Sequence, residues 1–278
     1  MLARLLCVFV VLASSVAVTP ARVNAQNLAG LAVSKTPPPL PFTPGETLVY
    51  EINFSRLIFS GTIGSLTLTV ASPGGANDSL EFKAEGVSKG FFTWLFKIKV
   101  NDKYTSSVNR HDFGLEASTQ NIEEGSVRRE QKLIVDRAAG KAAYTVKDLA
   151  RKPRGDKLVQ AESPAWVQDL LSAVYYIRTQ PLNYGDKITL PIIEAARLYN
   201  IDVVVGKHKE VDVGKWKYDA VQLDVKAFDG RYVKRSGQML VWVTDDAGRV
   251  PVKARIKTSG YTVNIELTGK ITRHGAKD

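Results

Sequence analysis

The stretch ETLVYEINF, residues 46–54, places Leu48, Tyr50, Ile52 and Phe54 on one side of an extended chain and Thr47, Glu51 and Asn53 on the other. Successive side chains of a strand point to opposite faces, so a period of two marks a strand with one buried and one wet face. The same alternation recurs in Leu66, Leu68 and Val70, in Leu80, Phe82 and Ala84, and in Ile98, Val100, Tyr104 and Val108. It returns in Leu133 and Val135, and in Ala142, Tyr144 and Val146. Farther on come Val221, Leu223 and Val225, then MLVWVTDDAGRVPVKARI (239–256), which reads as a hairpin with its turn at Asp245–Gly248. Tyr261, Val263, Ile265, Leu267 and Ile271 form a last long strand. Turn-forming clusters separate the strands at SPGGAND (72–78), NRHDFG (109–114) and DRAAGK (136–141).

One helix interrupts this pattern. Ser163 can cap it and Pro164 suits the first helical position. Val167, Leu170, Leu171, Val174 and Ile177 then recur at three and four, and Pro181 and Gly185 stop it. The spacing predicts a helix over about 163–179. The fold class expected is all-β: a curved antiparallel sheet or half-barrel with this one main helix lying over it. Asp169 and Arg178, at the flanks of the apolar stripe, read as partners in ion pairs on the helix surface.

The chain has 278 residues. Its first 25 resemble a secretory signal peptide: Arg4, a largely apolar run from Leu5 to Val18, then Val23 and Ala25 at the small-residue positions before a cleavage site. Cleavage is expected after Ala25, with export to the periplasm or the cell exterior. The apolar run is short for a bilayer span, so no transmembrane segment is expected after cleavage. Residues 26–45 read as a Pro-rich linker, with five prolines between Pro37 and Pro44, and residues 46–275 as a single β-rich domain.

Cys7, inside the leader, is the single cysteine, which excludes disulfides, cysteine nucleophiles and cysteine-ligated metals from the exported chain. The formal charge is +10; without Arg4 and Arg22 the exported chain has 36 basic and 28 acidic residues, a net of +8. The excess is spread thinly, apart from RKPR (151–154), which lacks interleaved aromatics and reads as a solvated loop, so nucleic acid is not expected as a partner.

The catalytic inventory is sparse. His111, His208 and His274 lie far apart, and no Gly-x-Ser-x-Gly, Ser-x-x-Lys, His-Glu-x-x-His or phosphate-cradling glycine loop occurs. No metal or cofactor is expected. Asp245 and Asp246 could bind a cation or serve acid–base chemistry, but adjacent strand residues diverge and Asp-Asp-Ala-Gly is good turn chemistry, so the turn is the reading preferred.

The stretch GFFTWLFK, residues 90–97, fits neither strand nor amphipathic helix, because both its sides are apolar. Its plain reading is core. Its functional reading makes Phe92, Trp94 and Phe96 the lining of a pocket for an apolar ligand, with Lys97 meeting an anionic headgroup.

Three blocks, PFTPGETLVYEINF (42–54), DLLSAVYYIRTQPLNYGDKI (169–188) and MLVWVTDDAGRVPVKARIKTSGYTVNIEL (239–267), resemble those of DUF3108, a family of bacterial exported proteins of unknown function. The most specific pattern is Trp-x-x-Asp-Asp-x-x-Arg-x-Pro, here Trp242, Asp245, Asp246, Arg249 and Pro251. The resemblance implies an extracytoplasmic β-rich domain and brings no catalytic assignment. Together these readings lead to a non-enzymatic periplasmic protein binding an apolar or amphipathic envelope molecule such as a lipid. The alternatives are a structural or assembly factor acting by protein–protein contact and, third, an envelope-polymer hydrolase.

Overall fold

The computed structural model describes residues 40–71, 78–90, 93, 98–150, 157–228, 236–269 and 271. The strands are β1 Thr47–Arg56, β2 Phe59–Val70, β3 Ser79–Ser88, β4 Asn101–Asn109, β5 Leu115–Glu124, β6 Val127–Asp136 and β7 Lys141–Asp148. After β8 Lys157–Glu162 comes the helix α1, Leu170–Thr179. The chain continues through β9 Lys187–Glu194, β10 Arg197–Val213, β11 Trp216–Val225, β12 Gly237–Thr244, β13 Pro251–Thr258 and β14 Thr262–Leu267. All fourteen join one sheet in the order β8-β7-β6-β5-β4-β3-β2-β1-β14-β13-β12-β11-β10-β9, each pair antiparallel. Among the described strands, the one step between neighbours that are not consecutive in sequence is β1 against β14, with Ile52 opposite Ile265.

An open twisted sheet of this many strands must curl to bury its apolar face. Bulges at Ile52/Asn53, Ser107/Val108, Val205/His208 and Trp242/Val243 sharpen the bend. The period-two residues line the inner face: Leu48, Tyr50, Ile52 and Phe54 are all buried, as are Leu66, Leu68, Leu80, Phe82 and Val108. The sheet does not close, since β8 and β9 remain its edges. The chain between β8 and α1 crosses part of the gap. Val167 accepts from Leu115 N, and Gln168 forms a parallel bridge to Ile192.

That crossing explains a difference from the sequence reading. The helix begins at Leu170, not near Ser163, because Val167 and Gln168 spend their backbone groups on β5 and β9. Asp169 is the true N-cap and forms a capping box with Ser172. The helix is also more than one stripe on a sheet. Leu171 and Val174 pack on the cluster around Leu66 and Ile52, Tyr175 on the cluster around Phe82 and Leu115, and Ala173 and Ile177 on the cluster around Ile192 and Leu223. It plugs the trough and is buried around most of its circumference, each large buried side chain contributing about 2 kcal/mol.

Candidate functional site

Both ends of α1 are tied down. At its start the buried Asp169 carboxylate accepts from Ser172 N at 2.7 Å and from Ser106 Oγ of β4 at 2.5 Å. At its end Arg178, wholly buried, donates to both carboxylate oxygens of Glu46, to Pro41 O and, through Nε, to Gly248 O at 3.0 Å. Its guanidinium also lies 5.1 Å from the Phe42 ring centre and 5.6 Å from that of Tyr175. Asp169 and Arg178 are therefore not partners in surface ion pairs, as the sequence suggested. Each fixes the helix to an element remote in sequence. Phe42, within the stretch read as a linker, is buried edge-on against Phe82 and Tyr175.

Between this roof and the inner face of the sheet lies a cleft. Leu66 and Leu68 of β2, Ala84 of β3 and Tyr104 of β4 form one wall, with Leu171 and Val174 of α1 above. Ser106, Ser118 of β5, Gln120, Asp169 and Glu194 of β9 form its polar end. The void is about 40 Å3, room for about three water molecules and not for an acyl chain.

The two acids are electrostatically unusual. Burial pushes the Asp169 carboxyl above the ordinary carboxylate range, against the opposing effect of its bonds from Ser106 and Ser172. Burial first, and the neighbouring Asp169 charge next, push Glu194 up to about 7, while the bond from Gln120 Nε2 at 3.3 Å pulls the other way. Glu194 is the last residue of β9, held in place by the turn of Ala195 and Ala196, both at positive φ. A cleft that presents two carboxyls shifted upward by burial, a serine pair and an amide above an apolar wall can take a hydroxyl- or amine-bearing group beside an apolar one. Among the described residues no group of three His, Cys, Asp or Glu is placed to hold a metal ion.

The residues singled out from sequence fall elsewhere. Phe92, Trp94, Phe96 and Lys97 lie outside the described residues, as do RKPR and the leader. Trp242 is 3% exposed, roofed by Lys209 at 5.1 Å and Arg255 at 5.6 Å from its ring centre. Asp246 Oδ1 organises the β12–β13 turn, accepting from Thr244 Oγ1, Gly248 N and Arg249 N. Arg249, at φ 41, donates to Arg178 O, and Pro251 O accepts from the buried Tyr50 hydroxyl at 2.8 Å. Asp245 pairs with His208 at 2.5 Å on the surface. The motif thus forms a turn clasped to the C-terminal end of α1, away from the cleft-lining residues.

A family model described as "Protein of unknown function (DUF3108)" matches residues 49–268. The chain belongs to the DUF3108 family. No curated protein matches the chain. Among solved structures, it resembles a β-barrel-like protein of domain DUF1849 from Brucella abortus, at 12% identity and a TM-score of 0.54, over 82% of this chain and 97% of that one. The hypothetical protein CT021 from Chlamydia trachomatis aligns over 85% of this chain and 93% of its own, at 7% identity and a TM-score of 0.27, too low to carry an argument. The DUF1849 likeness supports the barrel-like architecture of this DUF3108 chain and nothing about its chemistry.

Sequence reasoning named the apolar walls as strand and helix faces and Asp169 as a surface ion-pair partner, and missed their convergence with Ser106, Ser118, Gln120 and Glu194. Asp169 followed by Ser172 before an apolar run is a legible cap signal. Glu194 and Ser106 carry none, because their partners lie 74 and 63 residues away.

Proposed function

We propose that this DUF3108 protein is an exported, non-catalytic binding protein of the cell envelope. Its cleft beneath α1 holds a polar group of an amphipathic envelope molecule, bearing hydroxyls or an amine. One observation carries the reading: Asp169, Glu194, Ser106 and Gln120 converge on a single cleft whose other walls are Leu66, Leu68, Ala84, Leu171 and Val174. Polar groups gathered in an apolar trough cost stability unless something gains from them. The size of the void favours recognition of a headgroup over carriage of a whole acyl chain, and the ties at both ends of α1 oppose lifting the roof.

The test is thermal unfolding with fractionated extracts of the envelope from which the protein is exported. A fraction containing the ligand raises Tm for the wild-type protein and raises it much less for Glu194→Gln. If no fraction shifts Tm, or both proteins respond equally, the cleft is not the binding site.

A further inference from the structure

The hairpin joining β1 and β2 breaks a local rule. Arg56 pairs with Phe59, leaving Leu57 and Ile58 as a two-residue turn, with Leu57 at φ 52. Such turns ordinarily carry glycine, asparagine or aspartate, because a side chain with Cβ is strained at positive φ. Here instead are two large aliphatic residues, 94% and 91% exposed, followed by Phe59 at 56%. Among the described residues no core cluster takes them in, and water does not favour them.

Basic side chains flank this tip. Arg56 and Lys89 are exposed, and Lys89 is held beside β2 by its backbone bond to Ile63 O. Lys99 adjoins Val100, whose carbonyl accepts from Ser88 N and whose N–H donates to Ser88 Oγ. Lys257 stands opposite Thr262, which in turn faces Ser55. Among the described residues none of these four has a carboxylate within ion-pair reach. The nearest turn acids at this end, Glu123 and Glu124, belong to the β5–β6 hairpin, where Arg128 sits 3.9 Å from Glu123. The opposite end of the sheet is of mixed charge, with Asp78, Asp112, Asp136, Asp186, Asp245 and Asp246 in its turns beside Arg110, Arg137, Lys215 and Arg249.

We propose that the β1–β2 tip is a membrane-docking element, in which Leu57, Ile58 and Phe59 enter the interface of an anionic phospholipid bilayer while Arg56, Lys89, Lys99 and Lys257 meet its headgroups. Apolar side chains anchor by leaving water, and each lysine or arginine near an anionic surface adds attraction that salt screens. The opposite end, of mixed charge, then faces away from the bilayer. Glu194 ends its strand at the docked end, so docking directs that end of the trough toward the lipid surface.

The experiment is co-sedimentation of the protein, isolated after export from cells expressing the full chain, with two kinds of vesicle. One is phosphatidylcholine alone; the other is an equal mixture of phosphatidylcholine and phosphatidylglycerol. The wild-type protein sediments with the anionic vesicles at low salt, much less with the neutral ones, and is released by added salt. The variant Leu57→Gly with Ile58→Asn has turn residues that suit the observed backbone, so it unfolds at the same temperature or higher. Its partition onto anionic vesicles falls at least tenfold. Lys89→Gln with Lys99→Gln weakens partition and flattens its salt dependence. Failure of the wild-type protein to sediment with anionic vesicles overturns the proposal, and so does a glycine–asparagine variant that sediments unchanged. Neither result bears on whether the cleft binds a ligand.

Discussion

Arg178 shows how much of this molecule hangs on single side chains. Its charge is out of water and is neutralised by Glu46, 132 residues away. Removing one partner of a buried pair is costly because the other stays behind. Glu46→Gln is expected to destabilise by about 3 kcal/mol, the low end for such pairs, since Pro41 O and Gly248 O still accept from the guanidinium. Chemical denaturation measures it. Trp242→Ala is expected to cost about 3 kcal/mol through lost packing under Lys209 and Arg255; lost binding at unchanged stability would mark Trp242 as a site instead. Glu194 gives a pH signature. Its folded-state pKa, near 7, lies above the ordinary value near 4.5, so its contribution is complete below pH 4.5 and is lost as pH rises through 7. Tm of the wild-type protein should therefore fall between pH 5 and 8 more steeply than that of Glu194→Gln; parallel profiles would contradict the burial of this carboxyl.

At the scale of elements, strands were legible and their ends were not. Leu48, Tyr50, Ile52 and Phe54 announce β1 because an inner face excludes polar residues at every second position. The start of α1 was misplaced because Ser163 and Pro164 look like a helix start, while the backbone of Val167 and Gln168 is claimed by β5 and β9 through contacts remote in sequence. The β1–β2 turn was equally hidden, since Leu57 and Ile58 do not spell a turn. Replacing them with glycine and asparagine relieves the positive φ of Leu57 and should stabilise the fold by about 1 kcal/mol. A loss of that size would mean that the aliphatic tip has a structural role.

For the whole molecule, alternation plus a single helix pointed to a curved sheet under a helix, and the open sheet of fourteen strands has that form. What alternation could not reveal is the pairing of β1 with β14, across more than 200 residues, or the cleft, whose polar residues meet across 63 and 74 residues. The aromatic stretch at 90–97 drew attention from sequence as a dense apolar cluster, whereas the convergence of acids on the trough is a property of the folded sheet alone. The central claim is that this trough holds an envelope molecule. Native mass spectrometry of the protein isolated from its own envelope tests it most directly, comparing the wild-type chain with Glu194→Gln and with Ala84→Val, which narrows the void. The account predicts a discrete added mass on the wild-type protein that organic extraction removes and that both variants lack. A wild-type protein that carries no added mass, or variants that retain it in full, would contradict it.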